Sequence, residues 1–194
     1  MRLGYGHLVQ NEYLKSLALR DVIRVEMVCL GNICRSPMAA AVLHNKTLEL
    51  SNPRFVVTSS GTSGWHDGEG AHHLSEKTWK AAGYTFEHTS RKFQLNFFDE
   101  ADLILPMDLT NRANILNGAR NDADKAKVFM LRSFDPSLSH INPTSREAEQ
   151  LQVPDPWGET IEAYQEVLEM IERATDGLIA TVLPRSRAPR RSVG

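Results

Sequence analysis

The chain has 194 residues, of which 41% are hydrophobic and 24% charged, enough for one domain with a sizeable core but not for two. Its formal net charge of -2 gives no general attraction for nucleic acid or for an anionic membrane, so neither is expected as a partner. Two cysteines are too few for a disulfide framework, and they form no zinc-binding pattern, so no metal site is expected.

The two ends of the chain differ in composition from the middle. No apolar run is long enough to insert into a membrane, and polar residues interrupt the first 24 residues, which lack the apolar core of a signal peptide. We therefore expect a cytoplasmic protein with reduced thiols. Residues 1–21 are interpreted as an N-terminal extension, either frayed or a short helix ending near Arg20. The Pro/Arg/Ser-rich residues 184–194 predict a basic, disordered tail.

Between these ends, short apolar runs alternate with segments of helical length. Strands are predicted at 22–30, 54–60, 101–107 and 125–131, and helices at 36–50, 75–83, 108–118 and, from an apolar face with spacings of 3, 4 and 7, at 161–179. This alternation predicts a single three-layer α/β domain over residues 22–183. Its sheet would have four parallel strands flanked by helices, as in Rossmann-like and flavodoxin-like folds.

The stretch VCLGNICRSP at 28–37 contains both cysteines and joins the first strand to the first helix. Backbone N–H groups of such a loop, together with the helix N-terminus, form an anion site. The same positive potential favours the thiolate form of Cys29, and the planar fork of Arg35 binds two phosphate oxygens at once. Ser36 is placed to cap the helix or to donate to the sulfur. This pattern predicts attack by Cys29 on a phosphate ester, giving a phosphocysteine intermediate.

Such a reaction also needs a carboxyl group that protonates the leaving group and then activates water. The best candidate is Asp155 in VPDPWGET (153–160), where two prolines stiffen the chain and Trp157 is placed to line a cleft. An ordinary turn explains an Asp-Pro pair equally well. Spacing alone therefore does not separate Asp155 from Asp108 or Asp135.

VCLGNICRSP resembles the signature of the low-molecular-weight protein tyrosine phosphatases, in their bacterial type. Four later motifs match that family in order and extend the resemblance over residues 23–183, namely TSSGTSGW (58–65), EHTSR (87–91), PMDLTN (106–111) and VPDPWG (153–158). The resemblance implies that Cys29 is the nucleophile, Arg35 the phosphate-binding arginine and Asp155 the general acid and then base. It implies no metal and no cofactor.

The resemblance also assigns the residues around these three. The phosphate loop, residues 29–36, includes Leu30, Gly31, Ile33 and Cys34. Asn32, Ser36, Ser59 and His88 match a polar network behind the loop, in which the asparagine is left-handed. Cys34 matches a second cysteine that bonds the first under oxidation. Trp65 and Trp157 match aromatic walls that sandwich a phosphotyrosine ring.

Two segments depart from the family pattern. EGAHHLSEK (69–77) lacks the Pro-Asp-x-Arg element that often follows the Trp65 loop, and the stretch 133–152 looks longer than usual. The departure at 69–77 affects the edge of the expected cleft.

Hydrolysis of phosphotyrosine in proteins is the predicted function, with inorganic phosphate or other oxyanions as inhibitors. Phosphoarginine hydrolysis is an alternative; the resemblance associates a loop threonine with that branch, where this chain has Ile33. Arsenate reduction needs further cysteines to pass a disulfide onward, and none follows Cys34. A phosphate-binding module without catalysis is the non-enzyme alternative, against which the nucleophile, arginine and acid all argue.

Overall fold

The structure is a computed structural model that describes residues 12–50 and 53–183. A helical segment at 12–17 precedes three strands and six α-helices, which are β1 (Val22–Cys29), α1 (Arg35–Thr47), β2 (Arg54–Gly61), α2 (His73–Ala81), α3 (Phe97–Glu100), β3 (Leu103–Pro106), α4 (Leu109–Gly118), α5 (Asp122–Ala126) and α6 (Ile161–Val182). Three 3₁₀ helices, Leu131–Phe134, Pro136–Leu138 and Arg146–Leu151, lie between α5 and α6. The proposed tail at 184–194 and most of the N-terminal extension, residues 1–11, lie outside the described residues.

The strands form one parallel sheet in the order β2-β1-β3, so β1 is central. Cys29 pairs with Gly61 and Val28 with Pro106, which places the carboxyl ends of all three strands at the same edge. Along β1, Val25 and Met27 belong to the core that includes α1 and α6, whereas Val28 belongs to a second cluster with Ile104. The parallel α/β fold with helices on both faces is thus confirmed.

The predicted fourth strand at 125–131 is wrong. Residues Asp122–Ala126 form α5, whose first turn is capped by Asn121: its Oδ1 accepts from Asp124 N at 2.9 Å. Only Val128 then meets the sheet, in an isolated parallel bridge to Ile104. The chain turns into the 3₁₀ helix that begins at Leu131 before a ladder can form. A capped helix and a 3₁₀ turn therefore use the residues that the apolar pattern assigned to a strand.

The helices that border the expected site follow the predictions closely. Helix α1 begins at Arg35, directly after the loop that follows β1. Helix α6 buries an apolar face against the core, and a Cβ on its Gly177 would lie 1.8 Å from the carbonyl oxygen of Phe134. Glycine at that position lets α6 and the 3₁₀ helix pack in direct backbone contact. Among the helices of residues 12–50 and 53–183, none is long and apolar enough to cross a membrane.

Candidate active site

The phosphate loop surrounds the sulfur of Cys29 with hydrogen-bond donors. The backbone N–H of Asn32 donates to Cys29 Sγ at 3.2 Å, and the Ser36 hydroxyl donates to it at 3.0 Å. Cys29 ends β1 and Ser36 lies in the first turn of α1, so the strand and the helix fix both partners. Donors aimed at sulfur at a helix N-terminus stabilise the negative charge of a thiolate.

Asn32 holds the loop in its curled conformation. It is fully buried with φ 57°, the single non-glycine residue with positive φ in the described chain. Its Nδ2 donates to Ser36 Oγ at 2.8 Å and to Ser59 Oγ at 3.0 Å. His88 Nε2 donates to the Asn32 carbonyl oxygen at 2.7 Å. The structure thus brings together the four polar residues of the expected network, and their contacts over-determine a strained backbone.

The environment of His88 favours its neutral form. Burial lowers the pKa of this imidazole, and the charge of Arg91 adds to the effect, while the hydrogen bond to Asn32 opposes it. A neutral ring that donates from Nε2 is sufficient for the contact with the Asn32 carbonyl group. His88 therefore holds the loop without adding a charge near Cys29.

Arg35 is buried and pairs with two carboxylates. Its Nη1 lies 2.7 Å from Asp108 Oδ2, and its Nη2 lies 2.6 Å from Asp155 Oδ2. Nη1 also donates to the Val153 carbonyl at 3.2 Å. Although burial opposes the charged form, Cys29, Asp155 and Asp108 together raise the pKa of Arg35. The guanidinium therefore remains positive at the position where an anion is expected.

The sequence alone does not decide which of three aspartates is the acid, and the structure places them in different environments. Asp135 is buried away from the loop, where it accepts from Ser137 and pairs with Arg173. Asp108 caps α4, since its Oδ1 accepts from Asn111 N at 2.6 Å. Asp155 is 42% exposed and lines the same cavity as Cys29. Of the three, Asp155 is the one that lines this cavity.

A cavity of about 270 Å³ opens above the phosphate loop. Its floor is Cys29, Arg35 and the loop backbone, and its upper walls are Trp65 and Trp157. Both tryptophans are mostly exposed, at 75% and 65%. Exposed indole rings that line the same cavity as an anion site suit a flat aromatic group attached to phosphate.

The chain also matches a known family along most of its length. The family model for low molecular weight phosphotyrosine protein phosphatases matches residues 24–187. This chain belongs to that family. A low molecular weight protein-tyrosine-phosphatase of Streptomyces coelicolor is 39% identical over 160 residues, covering 82% of this chain and 93% of the relative. The low molecular weight protein-tyrosine phosphatase A of Mycobacterium tuberculosis is 35% identical over 162 residues, with 82% and 91% covered.

Solved structures of this phosphatase family agree with the fold. A protein tyrosine phosphatase from Entamoeba histolytica superposes with a TM-score of 0.70 at 29% identity, covering 81% of this chain and 95% of that chain. The YwlE arginine phosphatase from Geobacillus stearothermophilus superposes with a TM-score of 0.66 at 30% identity, covering 81% and 91%.

The second cysteine of this phosphatase has different partners from the Asn32 network. Cys34 Sγ lies 3.5 Å from the Tyr164 hydroxyl, which lies 2.9 Å from His72 Nδ1. The His72 and Tyr164 rings stack with centroids 5.5 Å apart. Burial raises the pKa of the Cys34 thiol to about 12, and the charges of Cys29 and Asp155 add to the shift, against the Tyr164 hydrogen bond and Arg35. Both cysteines are free.

The divergent segment 69–77 also contacts the phosphate loop. His72 N donates to the Ile33 carbonyl oxygen at 2.8 Å, and Ser75 Oγ donates to the Cys34 carbonyl oxygen at 2.7 Å. Helix α2 starts within this segment, and its first residues therefore contact the loop backbone at Ile33 and Cys34. The sequence gives no local signal for these contacts, because they join residues about 40 positions apart.

Three site residues were missed by the sequence reasoning. Ser90 Oγ donates to the Asn32 carbonyl oxygen at 2.7 Å, and Arg91 N donates to Asn32 Oδ1 at 3.0 Å. His66 lines the cavity beside Trp65, with its Nδ1 2.9 Å from Glu69 Oε2. Ser90 and Arg91 belong to the EHTSR motif, and His66 directly follows Trp65. These two positions were the signals that the sequence offered for the three residues.

Proposed function

We propose that this protein hydrolyses phosphotyrosine in proteins through a phosphocysteine intermediate on Cys29. The observation that carries the proposal is a single cavity that contains the hydrogen-bonded sulfur of Cys29, the guanidinium of Arg35 and the carboxylate of Asp155 between two exposed tryptophans. Family membership supports the same reaction class. We place the enzyme in the cytoplasm, where two free thiols persist.

The geometry supports a two-step reaction. Loop N–H groups and Arg35 bind the phosphate oxygens, and the Cys29 thiolate attacks phosphorus. Asp155 leaves Arg35 as the phosphate takes its place and takes up a proton from solvent, and its carboxyl group then protonates the departing tyrosine oxygen. The resulting carboxylate then accepts a proton from the water that hydrolyses the phosphocysteine. Inorganic phosphate, the product, binds the same loop and is therefore an inhibitor.

Phosphoarginine hydrolysis is the second candidate, favoured by the structural similarity to an arginine phosphatase. Ile33 lines the cavity, where an apolar side chain offers no hydrogen bond to a guanidino group. The indole walls favour an aromatic ring instead. Arsenate reduction remains the weaker alternative, since the sequence has no third cysteine to receive a disulfide.

Turnover of a panel of matched phosphopeptides distinguishes these functions. We expect kcat/KM for phosphotyrosine to exceed that for phosphoarginine and phosphoserine by at least about tenfold, a difference of about 1.4 kcal/mol in transition-state binding. Thioredoxin-coupled arsenate reduction should be absent. A preference for the phosphoarginine peptide would favour phosphoarginine hydrolysis as the function. Binding without turnover of any peptide would favour the non-enzyme alternative.

For Cys34 we propose a protective redox role. Peroxide oxidises the Cys29 thiolate to a sulfenic acid, releasing water or hydroxide, and Cys34 sulfur then displaces the sulfenic oxygen as a second water to form the Cys29–Cys34 disulfide. Because the pKa of Cys34 is raised to about 12, this cysteine is a thiol at neutral pH. Its thiolate fraction grows with pH, so disulfide closure should accelerate by roughly tenfold per pH unit between pH 6 and pH 8.

Mass mapping after a short peroxide pulse stopped by catalase measures that closure. Dithiothreitol should restore activity to the wild-type protein, whereas Cys34→Ser should lose activity permanently through over-oxidation of Cys29. Equal recovery of the two proteins would contradict the protective role, and a closure rate that does not change with pH would contradict the raised pKa of Cys34.

A further inference from the structure

Glu26 is a charged residue in the buried centre of β1. It is 2% exposed and projects to the same side of the sheet as the apolar Val28. Its Oε1 is buried without a hydrogen-bond partner among the described residues. Burial raises the pKa of this carboxyl group, and the charge of Arg91 opposes the shift. Such a carboxylate bears a desolvation cost that an ion pair rarely recovers, and the Arg91 side chain, which is 41% exposed, stays hydrated without it.

The contacts of Glu26 lead to one residue beside the phosphate loop. Its Oε2 accepts from Arg91 Nη2 at 2.8 Å and also from the Thr58 hydroxyl. Glu26 and Arg91 line a cleft with three other carboxylates, which have different partners. Asp102 pairs with Arg20, Asp99 pairs with Arg120, and Glu100 accepts from Asn96. Within the described chain, Glu26 is the carboxylate that pairs with Arg91.

Arg91 in turn fixes the polar network from two directions. Its backbone N–H donates to Asn32 Oδ1, and its Nε donates to the Ser59 carbonyl oxygen, both at 3.0 Å. Its carbonyl oxygen accepts from Gly61 N at 2.9 Å, and its guanidinium lies 4.3 Å from the centre of the Phe97 ring. Arg91 therefore contacts both Asn32 and Ser59, the residue whose hydroxyl accepts from the Asn32 amide.

We propose that Glu26 is a positioning residue of the active site: by holding the guanidinium of Arg91, it fixes the Arg91 backbone against Asn32. Asn32 in its strained conformation then keeps its own N–H aimed at the sulfur of Cys29. A left-handed asparagine persists only while its surroundings over-determine it, and the amide oxygen of Asn32 depends on Arg91. Losing the carboxylate loosens that contact and weakens the donor that stabilises the thiolate. The inference rests on the proposed catalytic role of Cys29.

The test compares Glu26→Gln, which keeps the shape of the side chain, with wild type. We expect kcat to fall about tenfold with KM changed less than twofold, below the roughly 100-fold that a misplacement of 1 Å can cost. The pH dependence of Cys29 alkylation by iodoacetamide, read by tandem mass spectrometry, should move to higher pH. Glu100→Gln is the matched control, since Glu100 lines the same cleft, is exposed and contacts Asn96.

Two further variants separate positioning from general stability. Glu26→Leu should keep or raise the melting temperature while showing the same loss of kcat as Glu26→Gln. Arg91→Met should lower kcat to a similar extent, and adding Glu26→Gln to it should change little more, because both act through one contact. Unchanged kcat and alkylation in Glu26→Gln, additive losses with Arg91→Met, or activity that falls only with melting temperature would each overturn the inference.

Failure of this inference is distinguishable from failure of the proposed function. If wild type hydrolyses phosphotyrosine and Glu26→Gln matches it in turnover and alkylation, only the positioning role is wrong. If wild type shows no phosphatase activity, the proposed function is wrong. The alkylation profile then still tests whether Glu26 acts on the loop through Arg91, because alkylation needs no substrate.

Discussion

Cys29→Ser should reduce hydrolysis of p-nitrophenyl phosphate and of phosphotyrosine peptides by a factor on the order of 10⁴ or more. The N–H of Asn32 and the hydroxyl of Ser36 stabilise an ionised sulfur. Two hydrogen bonds of that kind do not ionise a serine hydroxyl at neutral pH, so no nucleophile forms. Turnover measured at enzyme concentrations high enough to detect the residual rate tests the prediction.

The same variant should keep its affinity for anions. Arg35 and the loop backbone are unchanged by Cys29→Ser, and removing the thiolate removes a negative charge from the cavity. Calorimetric titration with inorganic phosphate should therefore show binding at least as tight as in wild type. Full activity in Cys29→Ser would exclude the phosphocysteine route, and lost phosphate binding would show that the variant no longer forms the loop.

Asp155→Ala has the second-largest expected effect, a fall in kcat of roughly 10²–10⁴-fold on phosphotyrosine peptides. The size should depend on the leaving group. Tyrosine leaves as a strongly basic phenolate that needs a proton, whereas p-nitrophenolate is much less basic. We therefore expect the loss on p-nitrophenyl phosphate to be smaller, and a series of aryl phosphates of increasing phenol acidity measures the dependence.

Asp108→Ala is the matched control for that experiment, since Asp108 also pairs with Arg35. Its other role is to cap α4, so its loss should cost about 1 kcal/mol of stability. The dependence on the leaving group should remain that of wild type. Equal leaving-group dependence in the two variants would remove Asp155 from the role of general acid.

The sequence predicts best the part of the fold in which local and long-range requirements agree. β1, the phosphate loop and α1 follow one another directly in the chain. The Gly-Asn turn marks the end of the strand, and Ser-Pro marks the start of the helix. The segment 125–131 shows the opposite case. Its apolar residues are buried, as a strand requires, but Asn121 starts a helix just before it and the chain curls away after one bridge. Burial alone does not distinguish these outcomes.

The sequence predicts residues of the site better when they lie close together in the chain. Cys29 and Arg35 are six residues apart, and their spacing predicts a nucleophile beside a phosphate-binding group. Asp155 and Asp108 both reach Arg35 from more than 70 residues away, and only the folded chain shows that one caps a helix while the other lines the cavity. Arg91 was missed because its contacts with Asn32 and Glu26 join residues about 60 positions apart in the chain.

The pairing of Arg35 with two carboxylates has a consequence for what enters the site together with the substrate. Asp108, Asp155 and an ionised Cys29 place three negative charges around one guanidinium. A phosphate ester adds close to two more at neutral pH, and each like-charge pair at 4 Å costs about 4 kcal/mol at an effective dielectric constant near 20. One added proton lowers this excess by one charge. We therefore expect a substrate that displaces Asp155 from Arg35 to enter together with a proton taken up from solvent.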